Sequence, residues 1–214
     1  MPFLPAGVSG EGRDLRVGQE RTLRFATTDP GIECFTPEQV ELMIRPARNV
    51  RDRFLIALMR ATGMRIGEML GLHRADMHLL ADSHALRCAV RGPHVHVHRR
   101  RDNTNGALAK SRKPRVIPVG EEVVGHYRDY QWERDAVPEA ADSDVAFVNR
   151  FRAPLGRAMS YPNAKQLFDR LAKWAVIVAR PHMLRHTAAT EWIRAGVPRD
   201  AFVFSGAVGR VRGR

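Results

Sequence analysis

The stretch Thr62-Gly63-Met64-Arg65-Ile66-Gly67-Glu68-Met69-Leu70-Gly71-Leu72 decides how this chain is read. Thr62-Gly63 breaks a preceding helical pattern, and Ile66, Met69 and Leu70 then recur at helical spacing, which predicts a helix over about 65–72. Arg65 stands at its start, where outward-facing backbone amides and a guanidinium can act together on a phosphate. Glu68 lies three residues on, on the same helix face, and can orient Arg65. Taken alone, the pair also fits an ordinary ion pair on an amphipathic helix surface.

Upstream, Thr36 reads as an N-cap with Pro37 at the first helical position, and Val40, Leu42, Met43 and Ile44 supply an apolar face. A second helix is expected over about 50–61, with Phe54, Leu55, Ala57 and Leu58 at helical spacing. Residues 1–31 are rich in Gly, Arg and Pro without clear periodicity and read as an irregular arm. Downstream the texture changes. The runs 85–90, 94–99 and 116–119 read as strands of a small antiparallel sheet, with Gly92-Pro93 as a turn and 103–106 as a loop. Helical patterns return over about 121–132, 161–175 and 181–195, and Gly196 with Pro198 forms a stop. A mainly helical α+β domain with one small antiparallel sheet follows.

Two further constellations carry chemistry. In Pro181-His182-Met183-Leu184-Arg185-His186-Thr187, proline fixes a helix start and places His182 and Arg185 three apart on one side of it. An imidazole that trades protons near neutrality, beside a guanidinium that forks two oxygens, suits phosphoryl transfer. A capping histidine beside a solvated arginine is the plainer alternative. In Lys110-Ser111-Arg112-Lys113-Pro114-Arg115, basic residues crowd a turn leading into a strand. Lys110 can protonate a leaving alkoxide or simply touch phosphate, while Arg112, Lys113 and Arg115 are expected on the phosphate backbone of a nucleic acid, DNA if Lys110 acts on it. A solvated basic loop is again the plainer alternative.

Composition agrees with a polyanionic partner. The 214 residues carry a formal net charge of +12, which favours phosphate backbones without choosing between DNA and RNA. The 44% hydrophobic content is enough for a core. Two cysteines, Cys34 and Cys88, are too few for a disulfide framework and read as reduced, partly buried thiols. No run is apolar enough for a membrane span, so a cytoplasmic protein without a membrane partner is expected. His94, His96 and His98 alternate along one strand face, but neighbouring same-face positions lie about 6.5–7 Å apart, so no metal is expected there. Ligand spacing is no tighter at His73, His78 and His84. Trp132, Trp174 and Trp192 fall in helical patterns and read as packing residues rather than base-stacking platforms.

Taken together, "TGMRIGEMLGL", "HMLRHT" and "AKSRKPRVIPV" resemble the two conserved boxes and the lysine hairpin of the tyrosine recombinases (phage integrase family), in order and in separation, over about 35–198. The resemblance is to integrases of mobile elements. It implies the catalytic domain of an enzyme that cuts and rejoins double-stranded DNA through a 3′-phosphotyrosine link, in the manner of type IB topoisomerases, with no cofactor, metal or small-molecule substrate. It implies that Arg65 and Arg185 clamp the scissile phosphate, that His182 assists proton transfer, and that Lys110 is the general acid to the 5′-oxygen. It also implies that Glu68 holds Arg65 from behind and that His186 packs or hydrogen-bonds rather than taking part in the chemistry. Any assembly would take place on DNA.

The resemblance fails at both ends. Residues 34–200 read as the catalytic domain, 1–33 as an arm too short for the family's N-terminal clamp, and 201–214 as an aberrant basic tail. The family's Leu-Gly-His turn and nucleophilic tyrosine do not follow the second box. Tyr127, Tyr130 and Tyr161 all precede His182 and match no nucleophile position. A cleavage-defective, truncated recombinase is therefore expected, unless a partner supplies the tyrosine. A non-catalytic DNA-binding module that antagonises an intact integrase is the alternative.

Overall fold

The computed structural model describes residues 33–111 and 113–196. Its elements in chain order are α1 (Pro37–Ile44), α2 (Val50–Thr62), α3 (Ile66–Leu70), β1 (Met77–His78), β2 (His94–Val97), β3 (Arg115–Pro118), α4 (Glu121–Asp135), α5 (Pro138–Ala141), α6 (Tyr161–Ala175) and α7 (Pro181–Arg194). The fold is mainly helical with one three-stranded antiparallel sheet in the order β1-β2-β3.

The central element is α2. Its N-cap Asn49 accepts from the Arg51 amide, and six consecutive residues, Phe54 to Met59, are buried, so it is covered all round. Helices α4 and α7 pack on it. Phe54 stacks on Tyr130 and Phe147, with centroids 5.9 and 5.3 Å away, and lies 5.2 Å from the Tyr127 ring. Tyr130 is fully buried, and its hydroxyl donates to the Ala146 carbonyl and accepts from the Val148 amide. That bond pair ties α4 to the segment before α6. On α6, Ala164, Leu167, Phe168 and Leu171 form the buried stripe that the 3.6 period demands, and Ser160 caps it. Helix α1 starts at a capping box between Thr36 and Gln39, as the Thr36-Pro37 signal indicates.

The sheet follows the pleat. Val95 and Val97 of β2 turn into the core, while His94 and His96 share the other face. One expected strand is absent. Residues 85–90 do not pair; they hold a 3₁₀ turn at His84–Leu86 and a left-handed Arg87, with Leu86 and Val90 exposed. The strand β2 pairs with on that side is β1, where Met77 buries its side chain opposite Val95. An apolar run without a buried face to satisfy is not held in a strand. The expected helix over 65–72 is shorter, Ile66–Leu70, and α5 had no clear signal. Trp192 packs against the core, but Trp132 is 84% exposed and Trp174 is 47% exposed under the Arg170 guanidinium, so neither is a core residue. No helix among the described residues is long and apolar enough to cross a membrane. The arm before residue 33 and the tail after residue 200 lie outside the described residues.

Truncating Phe54 to alanine removes the ring on which α4 and the 145–148 segment converge. Urea unfolding is expected to show a loss of about 3–5 kcal/mol, the usual cost of emptying a fully buried aromatic site.

Candidate DNA-cleavage site

The turn before α3 brings the two ends of the domain together. Gly63 closes α2 in the left-handed region (φ +57°), and an added Cβ would lie 3.3 Å from the Ala188 Cβ of α7. Across that close approach, Arg185 donates from Nη1 to the Gly63 carbonyl at 2.6 Å. The second arginine is thus anchored two residues before the first. Burial, reinforced by the Arg65 charge, pushes the Arg185 pKa below its usual value.

Glu68 is the hinge of the arrangement. It is 2% exposed, and its carboxylate accepts from the Arg65 backbone amide at 2.9 Å and from both Arg115 terminal nitrogens at 3.1 and 2.7 Å. Its contact with the Arg65 guanidinium is long, 3.7 Å. Burial pushes the Glu68 carboxyl up, but the Arg115 hydrogen bonds, the Arg65 amide and the two guanidinium charges outweigh it, and the pKa lies below the ordinary value. So Glu68 fixes the Arg65 backbone and leaves the 44% exposed side chain free to face the cleft. Arg115, expected on DNA, instead grips Glu68 with only 14% of its side chain exposed, tying β3 to α3.

The hairpin that carries Lys110 is laid on α3 by contacts that no local pattern announces. Gly67 has no side chain because a Cβ there would sit 2.9 Å from the Leu108 carbonyl oxygen. Asn105 donates to the carbonyls of Leu70 and Met159 at 2.9 and 2.8 Å, and Asn103 donates to that of Ala107 at 2.7 Å. Buried Ala109 then leaves Lys110 exposed. The Gly spacing of α3 and the Asn-Thr-Asn-Gly turn are visible in the sequence, but not what they contact.

The outcome is one open cleft of about 710 Å³ whose lining includes Arg65, Lys110, His182, Arg185, His186 and Tyr161. His182 is exposed in the first turn of α7, with its ring 6.0 Å from that of His186 and nearly perpendicular to it. The four side chains expected to share one phosphate therefore line one cavity. Lys113 is exposed beyond the cavity, and Arg112 lies outside the described residues. Tyr161, at the start of α6, is 55% exposed on the rim.

A model of the phage integrase family matches residues 33–203. The chain belongs to that family. This recombinase-family chain is 29% identical over 178 residues to transposase A of transposon Tn554 from Staphylococcus aureus, covering 83% of itself and 46% of that protein. It is 30% identical over 149 residues to the tyrosine recombinase XerC of Chlamydia trachomatis, covering 69% of itself and 39% of that protein. It thus spans less than half the length of these relatives. Among solved structures, the Tn1549 transposon integrase in complex with transposon right end DNA superposes with a TM-score of 0.63 at 21% identity, over 84% of this chain and 59% of that one. The lambda integrase catalytic core superposes with a TM-score of 0.53 at 15% identity, over 85% of this chain and 95% of that one. The mainly helical fold with a small antiparallel sheet is the tyrosine recombinase catalytic core fold.

Replacing Glu68 with glutamine leaves Arg115 buried against a neutral amide. A loss of about 3 kcal/mol is expected at neutral pH, the lower end for breaking a buried pair. Because the folded pKa is lowered, this contribution is complete above the ordinary carboxyl value of 4.5 and fades as pH falls through the lowered value. Urea titrations of both forms should therefore differ fully at pH 7 and converge only once the pH has fallen below the lowered Glu68 value.

Proposed function

We propose that this chain is the phosphate-binding core of a site-specific DNA recombinase of a mobile element. The observation that carries the reading is the convergence of Arg65, Lys110, His182 and Arg185, from three separate segments, on one cleft. In the proposed chemistry the two guanidinium groups hold the non-bridging oxygens of one phosphodiester and stabilise the charge of its five-coordinate transition state. A tyrosine oxygen attacks phosphorus, the bond to the 5′-oxygen breaks, and Lys110 delivers a proton to that oxygen. His182 assists proton transfer at the attacking side. Glu68 and Arg115 are positioning residues, acting through the Arg65 backbone and the β3 hairpin.

The attacking tyrosine is proposed to come from outside these 214 residues. No tyrosine follows His182 in these 214 residues, and rim residue Tyr161 precedes the second box. We therefore propose that the chain alone binds double-stranded DNA without forming a covalent bond to it, and that any cleavage uses a tyrosine from another source.

Two measurements test this. If Arg65 and Arg185 hold one phosphate, alanine substitutions at the two positions should weaken DNA binding less than additively, with a coupling of about 0.5–3 kcal/mol. Strict additivity would contradict a shared anion. On a nicked suicide substrate, no protein–DNA adduct is expected on a denaturing gel. An adduct would overturn the cleavage-defective reading, and its loss in Tyr161→Phe would name the source.

A further inference from the structure

We propose that His78, Cys88, His94 and His96 form a structural zinc site on the outer face of the sheet, remote in role from the phosphate cleft. The sequence spacing pointed to His94, His96 and His98 and argued against a metal. The folded chain selects a different set. His78 of β1 sits directly opposite His94 of β2, and His96 is two residues further along the same face. Cys88, from the loop between β1 and β2, is folded back over them. One ligand atom from each of the four lies within 4.8 Å of every other.

Three of the edges already have tetrahedral size. The Nε2 atoms of His94 and His96 are 3.1 Å apart, and the Cys88 sulfur is 3.4 and 3.5 Å from them. Zinc bonds of about 2.0–2.1 Å to nitrogen and 2.3 Å to sulfur give tetrahedral edges of about 3.3 Å between nitrogens and about 3.6 Å between nitrogen and sulfur. His98 is excluded: its ring stacks on that of His96 with centroids 5.7 Å apart, and its Nε2 faces Asp76.

The hydrogen bonds outside the cluster prepare the lone pairs. His94 holds its Nδ1 2.7 Å from the Gly92 carbonyl, which only accepts, so the proton belongs on Nδ1 and the Nε2 lone pair points at the cluster. His78 holds its Nε2 3.2 Å from the Ala75 carbonyl, so Nδ1 carries the lone pair; that atom is buried and has no hydrogen-bond partner. In a neutral, metal-free cluster, one His96 N–H and one thiol S–H are the only protons for four inward-facing atoms. A cation bound to three imidazoles and a thiolate satisfies all four at once, the thiol releasing its proton to solvent. Sulfur with imidazole in a tetrahedral set selects zinc over harder ions. The bound ion would clamp the 79–93 loop to β1 and β2 and stiffen the strand that leads to the Lys110 hairpin.

Cobalt(II), a coloured stand-in for zinc, tests the site in the full untagged chain after chelation. A single equivalent should bind, with tetrahedral d–d bands and a thiolate-to-cobalt charge-transfer band, and zinc should displace it. Cys88→Ser should abolish the charge-transfer band even with Cys34 present, His96→Ala should weaken binding at least tenfold, and His84→Ala on the exposed 3₁₀ turn should change neither. Zinc should also raise the melting temperature of the unsubstituted chain. No saturable cobalt binding by the unsubstituted chain, or an unchanged spectrum in Cys88→Ser, would overturn the proposal and leave a hydrogen-bonded histidine cluster. Neither result bears on the phosphate cleft, because DNA binding is not the readout.

Discussion

The site depends on a single carboxylate being buried among cations. Glu68 receives the Arg65 amide and the Arg115 fork, and so joins the turn before α3 to the strand that follows the lysine hairpin. A buried carboxylate is stable only when its lone pairs are met, and here three N–H groups meet them. The same turn receives Arg185 through the Gly63 carbonyl. Two segments distant in sequence, β3 and the start of α7, are thus fixed to residues 63–68, and the cleft lies beside that junction.

This arrangement explains which cations serve structure and which are left for a ligand. Asp76 fixes Arg100 through two bonds of 2.7 Å, and Asp52 fixes Arg51 and Arg170. These pairs brace the frame. Around the cleft, by contrast, Arg65 and Lys110 are exposed, and Arg185 meets a carbonyl rather than a carboxylate. A scaffold with a net charge of +12 can hold such a site open because neighbouring acids are engaged elsewhere.

The sequence made the helices legible where capping chemistry and the apolar period agreed, as at Thr36-Pro37, at Gly63 and along 161–175. It also named the cleft residues, because the three boxes carry their chemistry in short local patterns. What it hid were long-range pairings. Nothing local distinguishes Arg115, which grips Glu68, from Lys113, which faces solvent. Nothing local says that the two-residue Met77–His78 segment, rather than the longer 85–90 run, forms the third strand. Gly67 reads as a helix-weakening residue until the Leu108 carbonyl is seen against it. Cys88 reads as a lone thiol because the histidines beside it arrive from two strands whose pairing is set by burial of Met77 and Val95.

Tungstate, a phosphate-shaped anion located by its anomalous scattering in crystals of the chain, reports whether the two arginines share one phosphate. One anion is expected, bound by the guanidinium groups of both Arg65 and Arg185, with Lys110 and His182 facing the same position. Anions bound by either arginine alone, or an empty cleft at saturating tungstate, would contradict it.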